Sequence, residues 1–468
     1  MSFTHVLTVG SEYILFLSCL FILMGSIFIT FKLRFVQLRF FPDLIKMIKA
    51  SLGKKNDAEG SYTIKPYKAL FMAMSTTLGI STIVGPVIAI HLGGPGALLG
   101  FLLTSFFGSA ATYAEVNLCI QHRKKLESGV IMGGPMQYLK VLLSPGIAKW
   151  YAVCCLILMT AWSGAQANQL AAIFDSPLLG AYRLPTLFSG GAIAILVLIV
   201  LMGGIKKIGS FSAKLVPTMF TLYICSGLWI VFANLDKLGD VFRLMFAASL
   251  SPYEMATGTL VGGVMSALRW GIFKGTQASE AGVGTQAIPH SMAETNDPVA
   301  QGMLAMLSTY TAGFVAFLSG CVVLITNTWQ DPNLPLGISM MAASFHLYFS
   351  SFGLVIVAIS ALLFAFGTIL GNCYNGSQCF SYLTDNKGVR YYFAGAACMV
   401  FIGAVADVKV VWSIIDLILV CVALPHMTAL ILYAHKQSGV IITSIDASRG
   451  KKDSLELLET VKIEKTEA

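Results

Sequence analysis

Hydrophobic residues fall into eleven long runs, roughly 11–33, 69–91, 96–119, 149–172, 184–203, 214–235, 256–285, 300–327, 347–371, 391–405 and 408–434. A run of about 20 apolar residues is the length of an α-helix that crosses a hydrocarbon core. The pattern therefore predicts eleven transmembrane segments, the tenth of them short. Two runs break down internally. The second carries Thr76-Thr77-Leu78-Gly79-Ile80-Ser81-Thr82-Ile83-Val84-Gly85-Pro86, and the seventh carries Gly275-Thr276-Gln277-Ala278-Ser279-Glu280-Ala281-Gly282-Val283-Gly284. Glycine, proline and small hydroxyl residues weaken a helix and leave backbone groups unpaired. Lipid cannot satisfy those groups, so irregular backbone persists only where protein buries it or it lines a cavity. The two breaks lie five segments apart. An odd spacing inverts the second half, so segments 2–6 and 7–11 read as an inverted repeat, with segment one as an extra peripheral helix. Paired interruptions in corresponding helices of two halves point to a secondary transporter's binding site near the bilayer midplane.

Composition changes the picture little. The chain has 468 residues, 56% of them hydrophobic and 12% charged, with mean hydropathy +0.76, where a soluble domain carries about 25% charge. The net charge of +8 is a topology signal rather than a nucleic-acid signal, because basic residues crowd alternate loops. Lys32, Arg34, Arg39, Lys46, Lys49, Lys54, Lys55, Lys65 and Lys68 lie between segments one and two. Arg123, Lys124 and Lys125 follow segment three, and Lys206, Lys207 and Lys214 follow segment five, whereas 1–10, 92–95 and 328–346 hold no lysine or arginine. With eleven crossings, the N-terminus is expected outside and the C-terminus inside. Residues 1–436 form one polytopic domain, and 437–468 read as a cytoplasmic tail. The first run lacks a basic n-region and a small-residue cleavage pattern, so it is expected to be a retained helix. The ten cysteines sit almost entirely in apolar runs without metal-ligand spacing, and read as small hydrophobes.

The chemistry of the breaks follows from helix ends. An opened helix presents N–H groups of positive dipole character from one half and carbonyls of negative character from the other. An amino acid's carboxylate suits the first; its ammonium group, or a bare sodium ion, suits the second. The hydroxyls of Thr76, Thr77, Ser81 and Thr82 add neutral oxygen ligands.

At these residues the chain resembles the alanine/glycine:cation symporter family, nearly end to end. The likeness is carried by Arg34-Phe35-Val36-Gln37-Leu38-Arg39, Gly93-Gly94-Pro95-Gly96-Ala97, Phe107-Gly108 and Tyr113-Ala114-Glu115. It continues through Gly133-Gly134-Pro135-Met136, Gln166-Ala167-Asn168, Gly203-Gly204-Ile205, Leu215-Val216-Pro217, Glu280-Ala281-Gly282-Val283-Gly284, Pro298-Val299-Ala300-Gln301-Gly302 and Thr368-Ile369-Leu370-Gly371. The resemblance implies an all-α integral membrane protein of leucine-transporter-like fold that moves small neutral amino acids with sodium or protons and needs no cofactor. It implies a substrate site drawn from Thr77, Gly79, Ser81, Thr82, Gln166, Gln277, Ser279 and Asn372. It also implies a sodium site from carbonyls near Thr77 and Gly79 with the Thr368 hydroxyl. Gly85, Glu280, Gly282 and Gly284 take gating or structural places. Four positions depart from the family pattern. Ser81-Thr82-Ile83 stands for Gly-Asn-Ile, Gln277-Ala278-Ser279 for Phe-Ser-Asn, Ala312-Gly313 for Asp-Thr, and Gly371-Asn372 for Gly-Trp.

Gln166 offers donor and acceptor to an amino acid, or an interhelical hydrogen bond. Glu280, ionisable inside a broken membrane helix, reads either as functional or as a carboxylate capping freed N–H groups. Arg269 and Lys274 are expected to pair with Glu280 or face water, and Glu115, near a basic loop, to serve at the surface. Asp416 is undetermined. A membrane enzyme would need a clustered nucleophile and base, and the sequence has no His-Glu-x-x-His or Gly-x-Ser-x-Gly pattern. A channel would use a pore motif in symmetric copies, whereas one chain here supplies two unlike breaks. The expectation is an inner-membrane, ion-coupled importer acting as a monomer, with a small amino acid, a cation and the bilayer as partners and no nucleic acid. A proton-coupled permease for a polar or larger solute is the alternative.

Overall fold

The computed structural model describes residues 3–40, 63–125, 131–175, 183–250, 264–406 and 408–448. Lys46, Lys49, Lys54, Lys55, the opening of segment seven (256–263) and the basic residues after 448 lie outside these. The described chain is helical apart from a two-stranded antiparallel hairpin pairing Lys124 with Met132 and Lys125 with Ile131. Eight spans are long and apolar enough to cross a membrane, and Thr186–Leu201 and Val389–Val405, at segments five and ten, are shorter apolar helices.

The helices are α1 (Phe3–Lys32), α2 (Val36–Phe40), the broken pair α3 (Pro66–Thr77) and α4 (Ile80–Gly93), α5 (Ala97–His122), α6 (Pro135–Leu142), α7 (Pro145–Phe174), α8 (Thr186–Leu201), α9 (Gly204–Phe232) and α10 (Leu235–Leu250). The second half runs through α11 (Val264–Ser279), α12 (Ala287–Ser291), α13 (Pro298–Thr326), α14 (Ile338–Phe349), α15 (Ser351–Leu383), α16 (Val389–Val405) and α17 (Val408–Ser448). Helix starts follow local chemistry. Asp297 accepts from the amides of Val299 (3.0 Å) and Ala300 (2.9 Å) with Pro298 in the first turn, satisfying N–H groups that a helix start leaves free.

Polarity is turned inside out relative to a soluble protein. Leu17, Phe188, Trp229, Phe232 and Phe352 face outward, while Thr82, Glu115, Gln286, Asn372 and His426 are buried. Helices of the first half of the chain pack on helices of the second: α5 on α13, α7 on α15, α8 on α16, and the broken second segment on α11. Glycines set the closest approaches. A β-carbon at Gly100 would lie 2.6 Å from the Gly271 carbonyl carbon, and one at Gly164 3.2 Å from the Gly403 α-carbon, so small residues let backbones touch.

One expectation needs correcting. The second break does not begin at Gly275: α11 stays helical to Ser279. Gly275 is a packing residue, since a β-carbon there would collide with the Thr104 hydroxyl and lie 3.1 Å from the Phe101 α-carbon. The α17 helix runs on through residue 436 to Ser448, with Ile441 and Ile445 buried and Asp446 paired to Arg39.

Candidate functional site

The first break is short. The α3 helix ends as Leu78 turns to φ −87°, ψ 70°, Gly79 is extended, and α4 restarts at Ile80. Ser81 and Thr82, read from the sequence as part of the interruption, are already helical. The Thr82 hydroxyl donates back across the gap to the Thr77 carbonyl at 2.8 Å, and its amide donates to the Gly79 carbonyl at 3.0 Å. Gln166 on α7 accepts from the Ile80 amide at 3.1 Å, taking one of the donors that a new helix start exposes. Thr368 on α15 donates to the Ser75 carbonyl at 2.9 Å. A β-carbon at Gly79 would sit 3.0 Å from both Gln166 Nε2 and Thr368 Oγ1. The structure thus brings Thr77, Gly79, Thr82, Gln166 and Thr368 together, with Gly79 as the contact point that admits two side chains.

The second break is longer and is stitched on several sides. Glu280 takes φ 51°, Gly282 φ 81° and Gly284 φ 93°, the left-handed region that favours glycine, and helix resumes only at Ala287. His426 bonds the Gly282 carbonyl at 2.8 Å, Tyr151 donates to the Val283 carbonyl at 2.9 Å, Gln286 to the Ser279 carbonyl at 2.5 Å, and Asn375 to the Thr285 carbonyl at 3.2 Å. Glu115 accepts from the Gly282 amide at 2.5 Å, and Glu280 accepts from the Thr285 hydroxyl. This is how irregular backbone persists at membrane depth. Glu115 is completely buried. Its expected surface role is wrong because α5 runs on beyond it to His122, so nearness to a basic loop did not mean exposure.

Helix α15 links the breaks. Thr368, Asn372 and Asn375 stand four and three residues apart and so share one face. Thr368 touches the first break and Asn375 the second. Asn372, between them, is fully buried, and neither atom of its amide has a hydrogen-bond partner among the described residues. An unpaired buried amide is costly.

Gln277 is placed elsewhere. Its amide donates to Asp416 at 2.9 Å and accepts from Lys274 at 3.1 Å. Lys274 and Asp416, with Arg269, Trp270, Phe273, Leu15 and Phe16, line a pocket of about 140 Å³ between α1, α11 and α17. Of the two places expected for Lys274, at Glu280 or facing water, it lines this partly open pocket and donates to Gln277, and Asp416 gains a partner. Ser279 contributes its carbonyl to Gln286 and stays buried at the second break. A β-carbon at Gly85 would meet the Phe101 ring at an ordinary contact distance, 3.6 Å. Sequence reasoning missed Tyr151, His426, Gln286 and Asn375. Asn375 carried a signal, its place seven residues after Thr368 on one helical face, and Gln286 closes the break itself; Tyr151 and His426 are distant in sequence and carried none.

Residues 2–453 match the sodium:alanine symporter family. The chain is 32% identical to the sodium/alanine symporter AgcS of Methanococcus maripaludis, covering 96% of this chain and 97% of that protein. It is 28% identical to the probable sodium/glutamine symporter GlnT of Bacillus subtilis over 96% of this chain and 91% of that one. A solved Na+-coupled sialic acid symporter in a substrate-bound outward-open state aligns with TM-score 0.48 and 12% identity, covering 93% of this chain and 85% of the other.

Proposed function

This chain belongs to the sodium:alanine symporter family, and from that premise we propose that it imports a small neutral amino acid with a cation by alternating access around its two broken helices. Cation-coupled amino-acid transport is the family's activity; the substrate, the site and the topology are our reading. The observation that carries it is Asn372, an amide buried without a protein partner between the residues that meet the two breaks. The Ile80 helix start offers positive dipole character for a carboxylate. Carbonyl and hydroxyl oxygens of Thr77, Gly79 and Thr368 suit a hard monovalent cation. Thr82 and Gln166, which bond the backbone of the first break, would orient the solute with Ser81 and Ser279.

The packing of α5 on α13, α7 on α15 and α8 on α16 supports an inverted repeat of segments 2–6 and 7–11, eleven crossings and a leucine-transporter-like fold. The loop charges support an outside N-terminus, an inside C-terminus and a place in the inner membrane. A polar or larger solute is the second reading, favoured by the Asn372 amide and by the glutamine relative.

Uptake of labelled alanine, glycine, serine and glutamine into proteoliposomes under an imposed sodium or proton gradient tests the proposal. Accumulation of at least one is expected. If neither gradient drives any of them, the proposal fails.

A further inference from the structure

We propose that Glu115 and Glu280 form a proton-binding site on the second break, holding one proton between two buried carboxyl groups. The role this gives the site in transport rests on the symporter reading, but the presence of the proton does not.

Both side chains are out of contact with solvent: Glu115 is 0% and Glu280 3% exposed. A carboxylate removed from water is costly unless a cation or several donors compensate it. Their donors are few. One oxygen of Glu115 takes the Gly282 amide and one oxygen of Glu280 the Thr285 hydroxyl. Glu115 Oε2, fully buried, reaches no hydrogen-bond partner among the described residues. The two carboxyl groups bind one short turn, Glu115 at the Gly282 amide and Glu280 at the Thr285 hydroxyl.

The titratable groups around them are engaged with other partners. On α17, His426 donates from Nδ1 to the Gly282 carbonyl, and its Nε2 meets the Tyr138 hydroxyl rather than either glutamate. On α7, Tyr151 is bonded to Val283. On α12, His290 meets Gln301 at 2.6 Å. Cys119, one turn along α5, donates to the Ala287 carbonyl, and Tyr113, on the same helix, accepts from Asn117, which also takes Tyr433 of α17. On α1, Cys19 is buried. On α11 itself, Lys274 is engaged with Gln277 and lines the pocket shared with Asp416. Among the described residues no salt bridge reaches either glutamate.

Two carboxylates buried on one turn with so few donors and no cation do not both stay ionised; one proton held by the pair removes one buried charge. Because Glu115 holds the Gly282 amide and Glu280 sits in the turn itself, gain or loss of that proton is tied to the shape of residues 280–286. The proton is taken from water and returned to it as the break opens to either side.

Infrared spectroscopy on the full chain in liposomes tests this directly. A protonated-carboxyl C=O stretch is expected at neutral pH, absent from Glu115→Gln or Glu280→Gln and retained in Glu115→Asp. Sodium-driven uptake by Glu115→Asp is expected to keep the pH profile of the parent. Absence of the band, or a band that neither glutamine substitution alters, would overturn the site. So would a band that vanishes on adding sodium at constant pH, which would assign the two carboxyl groups to sodium. Because the band is read without transport, its loss leaves the symporter proposal standing, and a failure of uptake leaves the band to be judged by itself.

Discussion

Thr368 reaches across from α15 and donates its hydroxyl to the carbonyl of Ser75, 2.9 Å away in the last turn before the first break. The same hydroxyl lies against Gly79, close enough that a β-carbon there would be 3.0 Å from it. A long unbroken helix thus sets the position of the opened one, and an oxygen is held where loosened backbone carbonyls gather.

Thr368→Ala is expected to weaken the cation dependence of uptake. The loss removes one oxygen ligand and one hydrogen bond of about 0.5–1.5 kcal/mol, so the sodium concentration for half-maximal uptake should rise roughly tenfold, about 1.4 kcal/mol. The Thr77 carbonyl already takes the Thr82 hydroxyl, but its second lone pair remains usable. Unchanged ion affinity in this variant would remove the sodium site from this position.

Gly284→Ala is expected to destabilise the protein and abolish uptake. Its φ of 93° is unfavourable for a side chain, and a β-carbon would lie 2.6 Å from the Tyr151 hydroxyl and 2.8 Å from His426 Nε2. The backbone strain is worth about 1–3 kcal/mol; the collision adds to it. Gly94→Ala separates the two, because φ is 78° there and nothing lies within 4 Å. Thermal stability of both variants in detergent is the measurement. A smaller loss at Gly94 than at Gly284 is expected, and equal losses would show that strain alone sets the cost.

Labelling should place the loop after segment three on the inside. A cysteine at Lys124, on a background in which the native cysteines are replaced, is expected to resist an impermeant reagent applied from outside. The exposed hairpin of Lys124 and Lys125 makes it accessible from its own side. Reaction from outside would invert the topology read from loop charge.

The fold was legible where membrane physics writes itself into short stretches. Apolar runs marked the helices, and small residues marked both interruptions, because each effect depends only on neighbours along the chain. The extent of the breaks was not legible. Gly275 and Gly79 look alike in sequence, yet one admits the side of Thr104 and the other admits Gln166 and Thr368 beside an extended backbone. Glycine serves close packing and unusual backbone equally well. Glu115 was misread for a related reason: distance from a helix end does not report what packs against it. Two partners of the second break, Tyr151 and His426, come from regions that only the tertiary fold assembles.

Asn372 should decide what this member carries. The resemblance sets Asn372 where the family pattern has tryptophan after the segment-nine glycine, and Gln277 where it has phenylalanine, so two amides would replace two aromatic groups. The structure narrows that argument to one of them. Gln277 is already committed to Lys274 and Asp416, whereas the Asn372 amide is buried with neither atom bonded. A site that holds a free amide discriminates by hydrogen bonding, because an apolar solute leaves it unpaired at a cost of about 1–3 kcal/mol. Serine, threonine or another small polar amino acid is therefore expected to compete for labelled uptake at least as well as alanine. Asn372→Trp should turn the ranking toward alanine and glycine by filling the space and removing the amide. A competition series on the parent and the variant measures both effects. Clear preference of the parent for alanine and glycine, with the ranking unmoved by Asn372→Trp, would place the solute away from this amide while leaving the transporter assignment intact.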